Sequence, residues 1–235
     1  MQKFKAALFD LDGTLLDTSE FIFQAFENTL INHGIQPPTR NEITHLVGKP
    51  LEFCYRVLSG KEVVDKMCVV HRAFQASHLE LAKTYPGASK VLVSLKSAGL
   101  KIAAVTTRQR ETSIKTLEIT HLIDYMDYIV ALEDVENLKP HAEPVLKALD
   151  FLSVDPQEAV MVGDTDADIL AGKSAGTVTV GVTYGFHGLQ IEESKPDYII
   201  SDIREILSLV LGEKQILAAF QELEARDQDS GFTLP

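Results

Sequence analysis

Asp10 and Asp12 stand one residue apart at the end of an apolar run that reads Phe-Lys-Ala-Ala-Leu-Phe-Asp-Leu-Asp-Gly-Thr over residues 4–14. Along an extended backbone residues i and i+2 point the same way, so both carboxylates face one crevice and repel each other unless a proton or a cation intervenes. A divalent metal is the simplest answer. A run this short, closed by Asp and Gly, reads as a buried parallel strand, and open α/β sheets gather their ligands at the carboxyl ends of such strands. The alternative is a strand that ends in a solvated turn, since Asp and Gly are ordinary turn residues.

Three later segments carry matching chemistry: Val105-Thr106-Thr107-Arg108 after an apolar run, Leu138-Lys139-Pro140, and Val162-Gly163-Asp164-Thr165-Asp166-Ala167-Asp168. Thr106 offers a hydroxyl at a strand end, although Thr is common in strands. Lys139 offers a cation, although surface exposure is the ordinary fate of lysine. Carboxylates clustered behind Val162 suit oxygen-only coordination of a hard cation such as magnesium. With these segments in this order, the chain resembles the haloacid dehalogenase superfamily of phosphohydrolases over nearly all of residues 4–210.

That resemblance implies roles. Asp10 attacks phosphorus and forms an aspartyl-phosphate. Asp12 protonates the departing oxygen, so it must hold a proton when catalysis begins, and then activates the water that frees the enzyme. Thr106 holds a phosphoryl oxygen, and Lys139 neutralises both the nucleophile and the phosphoryl group. Mg2+ is held by the carboxylates of Asp10 and Asp164 and by the backbone carbonyl of Asp12, with Asp168 outside the ligand set holding a metal-bound water or Lys139. Asp166 is expected to cap a helix or to lie in solvent. The family often has Asn after the Ser or Thr, where this chain has Thr107 and Arg108. Both are candidates for substrate contact, with solvent or a helix start the expected place for Arg108. Lys49, in the loop Gly48-Lys49-Pro50-Leu51, is the candidate for the anionic end of a substrate.

Asp12 argues for phosphoryl over carbon–halogen chemistry, because a departing alkoxide needs a proton and a halide does not. The loop around Lys49 lacks the Ser-Arg pair usual in the mutases. Hydrolysis of a small phosphate monoester is therefore expected, most similar to the phosphoglycolate phosphatase group, with pyrophosphate hydrolysis or a sugar-phosphate phosphatase or mutase as alternatives. A non-catalytic binder of phosphorylated ligands is the alternative from another class, and loss of Asp10, Asp12, Lys139 or Asp164 would have signalled it.

These residues need a scaffold. Apolar segments at 101–106, 128–132, 159–163, 178–182 and 198–200 alternate with helical patterns, which predicts an α/β core with a doubly wound, Rossmann-like parallel sheet. Residues 17–83 read as wholly helical, with a stop at His33-Gly34, a capping-box spacing over Thr39-Arg40-Asn41-Glu42 and a long helix over 61–81. The expected organisation is a discontinuous hydrolase core of 1–16 and 84–235 with an all-helical cap domain of 17–83 inserted in it. Hinges are expected near Leu16-Asp17 and Thr84-Gly87, and a frayed tail over 226–235.

A chain of 235 residues, 45% of them hydrophobic and 24% charged, can bury a core without covalent staples. Cys54 and Cys68 are expected as buried thiols. They and the short apolar stretch at the start of the chain suggest a cytoplasmic location. A net charge of −12 without a basic cluster argues against nucleic acid as a partner, and no apolar run reaches the length of a membrane span. The expected partner is a small phosphorylated metabolite, bound by a monomer or a homodimer.

Overall fold

The computed structural model describes residues 4–212; the tail expected over 226–235 lies outside the described residues. Strand β1 (Ala6–Phe9) is fully buried. It runs parallel to β4 (Lys101–Val105) on one side and to β6 (Ala159–Gly163) on the other, with Ala6 opposite Lys101 and Ala159. With β5 (Tyr128–Val130), β7 (Val178–Val182) and β8 (Tyr198–Ile200), these strands form one parallel sheet in the order β5-β4-β1-β6-β7-β8. The chain builds outward from β1 through β4 to β5, then returns to β6 and builds the other way. The reversal places a crevice at the carboxyl end of β1.

Burial on both faces explains the unbroken apolar character of the strands. Ala7 and Phe9 of β1 face a core completed by Val91, Leu92 and Leu95 of α5 (Ala88–Ser97), by Leu117 of α6 (Arg110–Ile119) and by Ile206 and Val210 of α9 (Ile206–Val210). Ala6 and Leu8 face the opposite core, shared with Val145, Ala148 and Leu149 of α7 (Glu143–Leu152) and Ala171 and Ala175 of α8 (Asp166–Ala175). Helices on both faces make the sheet doubly wound.

Four helices make up an insertion between β1 and α5: α1 (Ser19–Asn32), α2 (Arg40–Thr44), α3 (Leu51–Ser59) and α4 (Asp65–Ser77). They enclose their own core, in which Phe21, Phe26, Leu30, Ile43, Tyr55 and Met67 are buried. The capping box before α2 forms as its spacing predicts, with the Glu42 carboxylate accepting from the Thr39 N–H at 2.8 Å.

Two expectations need correction. The insertion is not wholly helical, because β2 (Leu16–Asp17) pairs antiparallel with β3 (Lys83–Thr84), and this ribbon lies at the two expected hinges. The long helix over 61–81 is also shorter, and a separate 3-10 turn covers Leu79–Leu81. Gly60 ends α3 with a left-handed φ of 66°, and the His78 ring hydrogen-bonds the Phe74 carbonyl that a continuing helix would use. Cys54 and Cys68 are free and buried. Among the described residues no helix is long and apolar enough to cross a membrane.

Candidate active site

The register of the sheet brings the expected residues together. Phe9 lies opposite Ala104 and Val162, so Asp10, Thr106 and Asp164 leave three adjacent strands at nearly the same level. Lys139 reaches them from the loop between β5 and α7, ahead of the helix that begins at Glu143. Its ammonium is buried and donates to Asp10 Oδ1 at 2.8 Å, to the Val105 carbonyl at 2.8 Å and to Asp168 Oδ1 at 2.6 Å.

Asp168 has little coordinating capacity left. Its other oxygen accepts the Thr165 N–H at 3.0 Å and the Thr165 hydroxyl at 2.6 Å, which caps the start of α8. The carboxylate therefore holds the lysine and the helix together. Thr165, not Asp166, is the residue before the helix; Asp166 is its exposed first member.

Asp164 is fully buried and accepts the Phe186 N–H at 2.7 Å and the Thr14 hydroxyl at 3.3 Å. The Tyr184 hydroxyl in turn donates to the Thr14 carbonyl at 3.0 Å. Sequence reasoning assigned no role to Thr14, Tyr184 or Phe186. Gly13, at φ +80°, leaves no room for a side chain, since a Cβ there would fall 2.1 Å from Asp164 Oδ2.

Arg108 overturns the expectation that it lies in solvent or only opens a helix. It is 8% exposed, donates to Asp12 Oδ1 at 3.2 Å and to the Thr116 hydroxyl at 2.9 Å, and lies 4.7 Å from the Phe21 ring centroid. Its backbone N–H donates to the Thr106 hydroxyl at 3.2 Å. Asp10, Asp12, Thr107, Arg108 and Lys49 all line one cavity of about 120 Å³ between the sheet edge and the helical insertion. Gly48, beside Lys49, sits so close to the core that a Cβ would meet Thr165 at 3.2 Å.

The electrostatics of this site favour a bound cation. Burial pushes the Asp10 carboxyl up to about 7 against the pull of Lys139, with Asp168 and Asp12 adding to the rise. Burial, then Asp168 and Asp10, hold Asp164 well above the usual carboxylate range. Burial alone would lower Lys139, but Asp10 and Asp168 outweigh it and keep the ammonium charged. Oxygens of Asp10, Asp164 and Asp168 lie within 4.8 Å of one another. With all three carboxylates ionised against one ammonium the interior would carry two excess negative charges, which protons on Asp10 and Asp164 relieve in the metal-free site and which one divalent cation would balance.

A sequence model of the haloacid dehalogenase-like hydrolases matches residues 7–182, a span that holds every residue of this crevice except Tyr184 and Phe186. The chain belongs to that family. The pyrophosphatase PpaX of Bacillus mycoides is 37% identical over 215 residues, 89% of this chain and 100% of its own length. A haloacid dehalogenase-like hydrolase from Streptococcus pneumoniae superimposes with a TM-score of 0.81 at 26% identity, covering 90% of this chain and 100% of that one. A predicted phosphoglycolate phosphatase from Haemophilus somnus gives the same TM-score at 25% identity, again over 90% and 100%. The parallel core with its helical insertion is thus the fold of haloacid dehalogenase-like phosphatases, and the chain is a hydrolase of phosphoric esters.

Proposed function

We propose that the protein is a magnesium-dependent phosphatase that acts on a small phosphorylated metabolite through an aspartyl-phosphate, with phosphoglycolate as the model substrate. The observation that carries the reading is Lys139, buried between Asp10 and Asp168 at 2.8 and 2.6 Å. It fixes one Asp10 oxygen beside the cavity and pulls against the burial that raises the carboxyl, which favours the ionised form that a carboxylate nucleophile requires.

In this reading Asp10 forms a bond to phosphorus as the bond to the leaving oxygen breaks, and Asp12, which in the resting site is paired with Arg108 and must exchange that pairing for a proton before the step, gives that oxygen its proton. Asp12 then takes a proton from water, whose oxygen attacks phosphorus and releases phosphate and free Asp10. Thr106 and the N–H groups that follow it bind a phosphoryl oxygen, while Lys139 offsets charge on Asp10 and on the phosphoryl group. Asp10, Asp164 and the Asp12 carbonyl would hold the Mg2+. Bound there, the ion would neutralise charge that develops on the phosphoryl oxygens. The helical insertion acts as a cap that excludes water until the aspartyl-phosphate has formed, with Lys49, Thr107 and Arg108 facing the leaving group.

Pyrophosphate is the second reading, favoured by the 37% identity to a pyrophosphatase. Phosphate release from phosphoglycolate, pyrophosphate, hexose phosphates and nucleotides, with Mg2+ and with chelator, tests both. Metal-dependent release that Asp10→Asn abolishes is expected, and the best substrate decides between the readings. No release from any of them by the unaltered protein would favour a non-catalytic binder.

A further inference from the structure

His71 lies on α4, in the insertion, and is 3% exposed. Its ring is packed edge-on against Phe26 at 4.7 Å and Tyr55 at 5.7 Å, yet the residue also lines the cavity that holds Asp10 and Asp12. The Tyr55 hydroxyl lies 2.8 Å from His71 Nδ1, and Tyr55 is completely buried. A phenol at that depth needs an acceptor for its proton; the Thr29 hydroxyl beside it can serve as a donor to Tyr55, and Nδ1 is placed to accept. The ring proton is then on Nε2. Burial, with Arg72 adding to it, pushes the imidazole down to about 3, so it stays neutral. Nε2 makes no hydrogen bond within the described residues.

The charges around the cavity are unevenly matched. Arg72 pairs with Glu52 at 3.0 Å, and Arg108 pairs with Asp12 at 3.2 Å. The Lys49 ammonium lies 5.8 Å from the Phe53 ring centroid, and no carboxylate pairs with it among the described residues. The insertion therefore presents one unmatched cation and one fixed, neutral donor to whatever is attached to the phosphoryl group.

We propose that His71 is a specificity-determining residue whose Nε2–H, oriented by Tyr55, hydrogen-bonds an acceptor oxygen of the leaving group while Lys49 meets that group's negative charge. The substrate class is a phosphate ester or anhydride whose leaving group carries its own carboxylate or phosphate. This rests on the phosphatase reading above. A residue with only a packing role would leave selectivity among substrates unchanged.

The test compares the full-length protein with His71→Phe, His71→Gln and Tyr55→Phe, using phosphoglycolate, pyrophosphate and phenyl phosphate in Mg2+. Thermal melts report folding. His71→Phe should raise KM for the anionic-leaving-group substrates about tenfold more than for phenyl phosphate, with kcat changing less. His71→Gln, whose amide N–H can take the place of Nε2–H, should recover most of the selectivity. In the 15N spectrum of the unliganded protein His71 should show the Nε2–H tautomer, and Tyr55→Phe should mix in the other. Equal losses on all three substrates, no loss, or an Nδ1–H tautomer in the unaltered protein would overturn the proposal. If the unaltered protein hydrolysed none of the three, the phosphatase reading would fall first and this proposal with it.

Discussion

The guanidinium of Arg108 meets the carboxylate of Asp12 at 3.2 Å, joining the loop after β4 to the loop after β1. The pair is largely buried, with 7% and 14% of the two side chains exposed, and the Phe21 ring of the insertion packs against the arginine.

Removing one partner of such a pair leaves an uncompensated charge. Arg108→Met should cost about 3 kcal/mol in urea denaturation. Adding Asp12→Asn should restore most of that, because no unpaired charge then remains. A double variant as unstable as Arg108→Met alone would show that the loss is one of packing.

Metal binding should expel protons. Asp10 is raised to about 7 and Asp164 is raised as well, so below neutral pH the metal-free site is partly protonated and a cation must displace those protons. Mg2+ affinity should therefore climb as pH rises through 7. Calorimetric titrations at pH 6 in two buffers of different ionisation enthalpy measure the proton release directly. Equal apparent enthalpies would contradict it.

Asp168→Asn keeps the shape of the side chain but weakens its hold on Lys139 and on the start of α8. Its kcat should fall about 10- to 100-fold. Thr165→Val removes one of the bonds to Asp168 and leaves Lys139 paired, so its loss should be several times smaller. Steady-state kinetics of the two variants gives the comparison.

His71 should shape the acid limb of stability. An imidazole held down to about 3 when folded takes up a proton on unfolding anywhere between there and its ordinary value near 6.5. Stability contributed by the neutral ring is thus complete above pH 6.5 and is lost as pH falls toward 3. In that window the unaltered protein should lose up to about 1.4 kcal/mol per pH unit more than His71→Gln. Parallel curves for the two would mean that His71 is protonated in the folded state.

Features of the sequence that depend on near neighbours were legible. The capping box at Thr39 needs only Glu42, and β1 announces itself by an apolar run that ends in Asp10. The residues expected to act on phosphate could be picked out because Asp10, Thr106 and Asp164 each follow a strand, and the sheet register brings them together; Lys139 was picked out by its place before Pro140. Arg108 was misread because what buries it, Phe21 and Asp12, comes from distant parts of the chain. The bonds from Thr14 and Phe186 to Asp164 are equally long-range, although Thr14 sits inside the Asp-Gly-Thr segment that first drew notice. The β2–β3 ribbon escaped because two-residue strands carry no periodicity.

Leu16 faces Thr84 and Asp17 faces Lys83 across that ribbon, so the chain enters and leaves the insertion at adjoining points. Topologically, everything between them is one enlarged hairpin loop. The closure entropy of a loop grows only slowly with its length, which makes the core tolerant of what is spliced there. The crevice carboxylates and the proposed leaving-group contacts Lys49 and His71 therefore stand on separable stretches of chain: replacing 18–82 with an Asn-Gly turn preserves every crevice carboxylate and removes Lys49 and His71 together.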